Sequence, residues 1–91
     1  MADNRESELS FSLIEEKVGE IWRYVLDVPA DMADATFFDL EGESISAIRI
    51  VSRIEEELGV AIEVGDIFEE DPNLEALVLR VAAAAKVTSP V

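Results

Sequence analysis

The sequence predicts an all-α fold: a small four-helix bundle of three main helices and one short helix, with a long first loop. Three observations support this. Apolar residues recur three and four positions apart in separate stretches. Those stretches begin and end at residues that start and stop helices. No segment carries a convincing period-two alternation that would favour a strand.

The first helix is expected to start near Ser10 or Ser12, because Ser12-Leu13-Ile14-Glu15 fits a capping box. Ile14, Val18, Ile21, Trp22 and Val25 then form one apolar stripe. Gly19 interrupts it at a cost of about 1 kcal/mol relative to alanine, which suggests a close helix contact there. Pro29 stops any continuation, since the residue before a proline is pushed out of helical geometry.

A long connection follows, from about Asp27 to Glu43, in which Phe37, Phe38 and Leu40 are apolar enough to plug into the core. Loops of this length in compact domains are often functional. The second helix is expected over Ser44 to about Leu58, with Ala47, Ile48, Val51, Ile54 and Leu58 inward and Gly59 as a left-handed stop. Val60-Ala61-Ile62 is extended or a turn, and Gly65 to Glu70 makes the short helix, placing Ile67 and Phe68 inward. Asp71-Pro72 has the form of an N-cap and first-turn proline for the last helix. Its stripe is Leu74, Leu77, Val78 and Val81, and Ala82 to Ala85 extend it by propensity. Residues 1–9 are expected to form a flexible arm, 10–85 the domain, and 86–91 a tail ending in Ser89-Pro90-Val91.

Composition removes several function classes. The 91 residues, 49% of them apolar, suffice for one small core. With no cysteine and no histidine there is no disulfide, no thiolate chemistry, no ordinary zinc site and no imidazole base. A net charge of −14 disfavours nucleic acid, whose phosphates need basic clusters. It favours protein partners with basic docking surfaces. No apolar run approaches a membrane span and Met1 to Ser10 lacks a secretory pattern, so a cytoplasmic monomer is expected. Paired carboxylates are too many to be informative, and there is no glycine-rich phosphate cradle, so an enzyme is not expected. Calcium fails on spacing. With Gly42 at the sixth position of an EF-hand loop, Phe37 and Ile48 fall at the first and twelfth, and neither binds the ion. Gly59 and Gly65 fail likewise, placing Ile54 and Val60 first.

The informative residue is Ser44. It stands where an acidic turn gives way to a helix, beside an N-terminus that tolerates a phosphate group. Asp27, Asp31, Asp34, Asp39, Glu41 and Glu43 lie between Arg23 and Arg49 with no basic residue among them. Two local readings stand side by side: a plain helix N-cap, the usual reason for a serine there, and a post-translationally modified serine.

The run Phe37-Phe38-Asp39-Leu40-Glu41-Gly42-Glu43-Ser44-Ile45 resembles the core motif of peptidyl carrier proteins, the thiolation domains of nonribosomal peptide synthesis. That motif typically reads Phe-Phe-Asp-Leu-Gly-Gly, then histidine or aspartate, then Ser-Leu. The resemblance extends over most of the chain. Ile21-Trp22-Arg23-Tyr24-Val25-Leu26 is similar to the end of the family's first helix, and Val51 to Val60 to its second helix and stop. Asp66-Ile67-Phe68-Glu69 and Pro72-Asn73-Leu74-Glu75-Ala76-Leu77 are similar to its third and fourth helices.

The resemblance implies a fold of the acyl-carrier-protein type and a carrier, not a catalyst. It implies that a phosphopantetheinyl transferase moves 4′-phosphopantetheine from coenzyme A to Ser44. The arm would hold an aminoacyl thioester for an adenylation enzyme and for condensation or tailoring enzymes, in nonribosomal peptide or hybrid natural-product biosynthesis. A chain without cysteine needs such an arm to carry a thioester at all. Ser46 is the rival site, but only Ser44 directly follows Gly42-Glu43. Glu41 and Glu43 depart from the motif. If position 41 needs a positive φ, glutamate costs about 1 kcal/mol or more there, and both acids put negative charge near an incoming phosphate.

Gly42, Glu43, Ile45, Arg49, Ser52, Arg53 and Phe68 are the expected partner-recognition residues. The equal alternative for Ile45 is first-turn packing against the loop. Met1 and a single domain suggest a discrete protein acting in trans. Alternative functions are an acyl carrier of polyketide or fatty-acid synthesis and, from another class, an unmodified acidic helical adaptor. The tryptophan and the Phe-Phe-Asp-Leu segment favour the peptidyl type.

Overall fold

A computed structural model describes residues 10–85, so the expected arm and tail lie outside the described residues. Four helices follow in order: α1 (Phe11–Leu26), α2 (Ser44–Leu58), α3 (Val64–Glu70) and α4 (Leu74–Ala84), with a short 3₁₀ turn at Ala30–Met32 in the first loop. There is no strand among the described residues; one isolated bridge pairs Thr36 with Asn73.

Local chemistry sets the helix ends. Ser10, in extended conformation, accepts from the Leu13 N–H at 3.0 Å and caps α1. The capping box expected at Ser12 does not form, because Ser12 is already inside the first turn. α1 ends before Pro29 acts on it: Asp27 turns left-handed (φ 52°) and its N–H bonds the Arg23 carbonyl. Gly59 (φ 70°) ends α2 in the same way, as expected. The start of α4 corrects another expectation. Its N-cap is Asn73, whose side chain accepts from the Ala76 N–H at 2.9 Å. Asp71 instead closes α3 in the left-handed region (φ 46°).

The core lies where α1, α2 and α4 meet, with Ile14, Val18, Ile21 and Trp22 facing Ala47, Ile50, Ile54, Leu77 and Val81. The stripe of α2 is rotated from the expected one. Ile50 is fully buried, whereas Ile48 is 52% exposed. Ala47, Ile50, Ile54 and Leu58 follow steps of three and four, which keeps them on one face; Ile48 lies 100° round the helix from Ala47 and turns outward. Gly19 is buried, but the group nearest its missing Cβ is the Arg23 guanidinium at 3.2 Å, not another helix. Burying ten large side chains almost completely supplies the main drive to fold.

α3 is only seven residues and too short to be stable alone. It is held from one side by Ile67, buried in the core, and from the other by Arg80 of α4, which pairs with Asp66 (3.7 Å) and Glu70. Among the described residues Trp22 Nε1 is buried with no hydrogen-bond acceptor; the ring itself packs tilted against Phe37 at 6.4 Å.

Candidate functional site

The first loop is organised by Phe37. Its ring is fully buried and touches three other aromatics: Trp22, Phe38 (5.6 Å) and Phe68 (5.9 Å, edge-on). Phe38 was expected in the core but is 47% exposed. The two neighbours cannot both point inward on a turn, so Phe37 takes the core and Phe38 lies across Phe68, stacked at 6.1 Å.

The residues after Phe37 close a turn of the kind that ends helices. Leu40 N–H bonds the Thr36 carbonyl, Glu41 N–H the Phe38 carbonyl, and Gly42 N–H the Phe37 carbonyl, all at 2.9–3.0 Å. Nested bonds of this type, six-to-one around five-to-two, form a Schellman motif, and they require a left-handed residue at its C′ position. That residue is Glu41 (φ 62°). The positive φ anticipated for position 41 is therefore present, and a residue with a Cβ occupies it at a cost of about 1–2 kcal/mol. Thr36 and Asp39 brace the turn: Asp39 N–H donates to Thr36 Oγ1 at 3.1 Å and Thr36 N–H to Asp39 Oδ2 at 3.4 Å.

Gly42 is needed for a different reason. Its φ is not positive, but a Cβ would lie 2.4 Å from Phe37 Cζ. The glycine lets the chain cross directly over the ring and turn into α2. Glu43 is the extended N-cap residue (φ −130°, ψ 177°), with no side-chain capping bond, and its carbonyl accepts from the Ala47 N–H.

Ser44 is thus the first residue of α2, not its cap. The plain N-cap reading fails on geometry. Its side chain is exposed, and no hydrogen bond engages its hydroxyl among the described residues. Ser46, two residues on, is half-buried. The free amides of the first turn and the helix dipole make the surroundings of Ser44 favourable to a phosphate.

The remaining candidates fall into two groups. Ile45 (66% exposed) faces solvent, so it does not pack against the loop, and Arg49 and Ser52 are exposed along the same helix. Ile48 joins them there. Arg53 is committed within the molecule. Its guanidinium donates to Glu57 Oε2 at 2.9 Å and lies 5.3 Å from the Tyr24 ring centre. The hydrogen bond to Glu57 raises its pKa above the ordinary arginine value. Phe68 is partly buried and shares its outer surface with Phe38. Sequence reasoning missed Phe38 and Ile48 as surface residues, and it missed Asp71, whose Oδ1 accepts from the Phe38 N–H at 2.8 Å. No local pattern announces a bond between residues 33 apart.

The site offers one exposed nucleophilic hydroxyl, in a chain with no histidine to activate it. Among the described residues there is no metal-binding cluster of acids. A cavity of about 410 Å³ is lined by residues of α1, the first loop and α4, including Phe11, Arg23, Leu74 and Val78, and it includes no residue of α2. Such an arrangement suits a residue that is acted on.

The phosphopantetheine attachment site family matches residues 16–81, more than half of the chain and across all four helices. This chain belongs to that family. It is a carrier domain, whose cofactor is covalent 4′-phosphopantetheine. The carrier domain is 35% identical over 75 residues to Surfactin synthase subunit 1 of Bacillus subtilis, covering 82% of this chain and 2% of that protein. It is 36% identical over 70 residues to Phosphinothricin tripeptide synthetase PhsC of Streptomyces viridochromogenes, covering 77% of this chain and 6% of that protein. With Pyochelin synthetase PchE of Pseudomonas aeruginosa it shares 31% over 81 residues, covering 89% of this chain and again 6% of the relative. The carrier domain thus spans only a small fraction of the curated relatives it matches.

A group on Ser44 Oγ would meet residues that fit it: an exposed hydroxyl, first-turn amides for the phosphate and the exposed apolar side chains of Ile45 and Ile48 on the same helix. When attached, the arm supplies the thiol that this chain lacks. The chain's own residues hold the Ser44 hydroxyl clear of the core. No helix among the described residues is long and apolar enough to cross a membrane.

Proposed function

We propose that Ser44 is the attachment residue and that this domain carries aminoacyl groups as thioesters in nonribosomal peptide or hybrid natural-product biosynthesis. The observation that supports it most is an exposed, uncommitted hydroxyl at the first residue of α2, held there by the Phe37–Gly42 turn. In the attachment step Ser44 Oγ attacks the phosphorus of coenzyme A that bears the pantetheine. A P–O bond forms, the bond to the other phosphate breaks, and adenosine 3′,5′-bisphosphate leaves. The hydroxyl proton goes to a base of the transferase.

The domain, residues 10–85, then serves partner enzymes as their substrate and catalyses nothing itself. Its partners are a phosphopantetheinyl transferase, an adenylation enzyme and condensation or tailoring enzymes, acting in the cytoplasm. Gly42, Glu43, Ile45, Arg49, Ser52 and Phe68 form the recognition surface, to which Phe38 and Ile48 are added. Arg53 contributes by bracing α1 against α2 through Tyr24.

The test is mass spectrometry after incubation with coenzyme A and a broad-specificity transferase. The expected result is one arm per chain, lost in Ser44→Ala and kept in Ser46→Ala. The reverse pattern would reject the assignment. A protein that gains no mass with any transferase would be the acidic adaptor, and loading by malonyl or fatty acyl donors but not by adenylation enzymes would make it an acyl carrier of the other type.

A further inference from the structure

Two hydrogen bonds tie the serine-bearing loop to the α3–α4 junction. Phe37 N–H donates to the Pro72 carbonyl at 2.9 Å, the bond of the isolated Thr36–Asn73 bridge, and Phe38 N–H donates to Asp71 Oδ1 at 2.8 Å. The Phe37–Pro72 link is a backbone pair, available to almost any sequence. The Asp71 link is made by a side chain, and that side chain sits on a residue in the left-handed region (φ 46°). Glycine would be the easiest residue for that backbone, and asparagine or aspartate the next. What aspartate adds over glycine is an acceptor, and a charged acceptor strengthens the bond.

The consequence reaches Ser44. From Phe38 onward the Schellman bonds fix Leu40, Glu41 and Gly42 in turn, and Glu43 opens α2. Phe38 also rests on Phe68 of α3, and Asp71 is the residue that caps that helix, where its N–H closes onto the Ile67 carbonyl. Arg80 holds the other side of α3 through Asp66 and Glu70. Of the hydrogen bonds that register the turn before the serine against the α3–α4 junction, the Asp71 bond is therefore the one that a side-chain substitution removes.

We propose that Asp71 is a positioning residue for modification of this carrier: its carboxylate holds the Phe38 amide and so keeps the Ser44 turn in the conformation that the transferase accepts. This rests on Ser44 being the attachment residue. Without the bond the turn samples other conformations, and the receptive fraction falls, which raises the apparent KM for the carrier.

Three variants separate the bond from the backbone. Asp71→Asn keeps an acceptor and tolerates the left-handed region. Asp71→Gly relieves that region but removes the acceptor, and Asp71→Ala loses both. With coenzyme A and a broad-specificity transferase, kcat/KM for the carrier should fall about tenfold in the glycine and alanine variants, the scale of one charge-assisted hydrogen bond. The fall should come through KM for the carrier, with KM for coenzyme A unchanged, and the asparagine variant should stay within about twofold of the parent. In the unmodified protein, hydrogen exchange at the Phe38 amide should quicken in the glycine and alanine variants and not in the asparagine one. A glycine variant that is modified at the parental rate overturns the proposal, as does a rate loss that only follows Tm across the three variants. Failure of Ser44→Ala to abolish modification would instead overturn the assignment of Ser44, so the two outcomes are distinct.

Discussion

Gly42 passes over the face of Phe37 so closely that a Cβ on it would stand 2.4–2.6 Å from three carbons of the ring. This one contact explains why the turn before Ser44 needs a glycine although its backbone is not left-handed. Phe37 is fully buried against Trp22 and Phe68, so the ring has nowhere to retreat. Gly42→Ala should therefore destabilise the domain by about 2 kcal/mol, within the range for overpacking a tight core. Urea unfolding measures it. Phe37→Leu, which shortens the obstacle, should reduce the added cost of Gly42→Ala in the double variant; strict additivity would show that the clash is not what matters.

Glu41→Gly should act in the opposite direction. Relief of the left-handed conformation is worth about 1–2 kcal/mol, and the added freedom of the unfolded chain takes back about 0.5–1 kcal/mol. The balance is a gain of up to about 1.5 kcal/mol, centred near about 0.7 kcal/mol, read as a higher urea midpoint with unchanged slope. Removing one charge from a chain of net −14 pushes the same way.

The two candidate caps of α1 are separable by mutation. Ser10→Ala removes the bond to the Leu13 amide and should cost about 1 kcal/mol. Ser12→Ala lies on an exposed position inside the helix and should change stability by less than about 0.5 kcal/mol. Equal effects would restore the capping box that Ser12 to Glu15 suggests.

Arg80→Ala should loosen α3 more than the rest of the domain, because Arg80 brings to it the positive charge that pairs with Asp66 and Glu70. The expected signature is faster hydrogen exchange at the Asp71 amide, which closes α3 onto Ile67, with the amides of α1 and α2 unchanged. Uniform acceleration would mean that Arg80 supports the whole bundle instead.

Salt should stabilise this protein. The ion pairs among the described residues, such as Arg53–Glu57, are partly exposed and contribute little, while the uncompensated charge of −14 repels itself throughout. Raising sodium chloride from about 0.01 to 0.5 M shortens the Debye length from about 30 Å to under 5 Å, so Tm should rise. A fall in Tm would assign the ion pairs the larger role.

The helices were legible because their causes are local. Ser44 to Leu58 with Gly59 behind it is a pattern of side chains three and four apart plus one left-handed stop, and nothing distant is needed to see it. The serine was legible for the same reason, since the residues that present it are the eight before it. What the sequence by itself determined is thus the number, order and type of elements, and the residue at the mouth of α2. Tertiary structure decided which of Phe37 and Phe38 is buried, which of Ile48 and Ile50 faces the core, and whether Asp71 starts α4 or ends α3. Each of those is a choice between neighbours of nearly equal local preference. It is settled only when another part of the chain arrives: the Phe68 ring, the α1 surface, or the Phe38 amide 33 residues away.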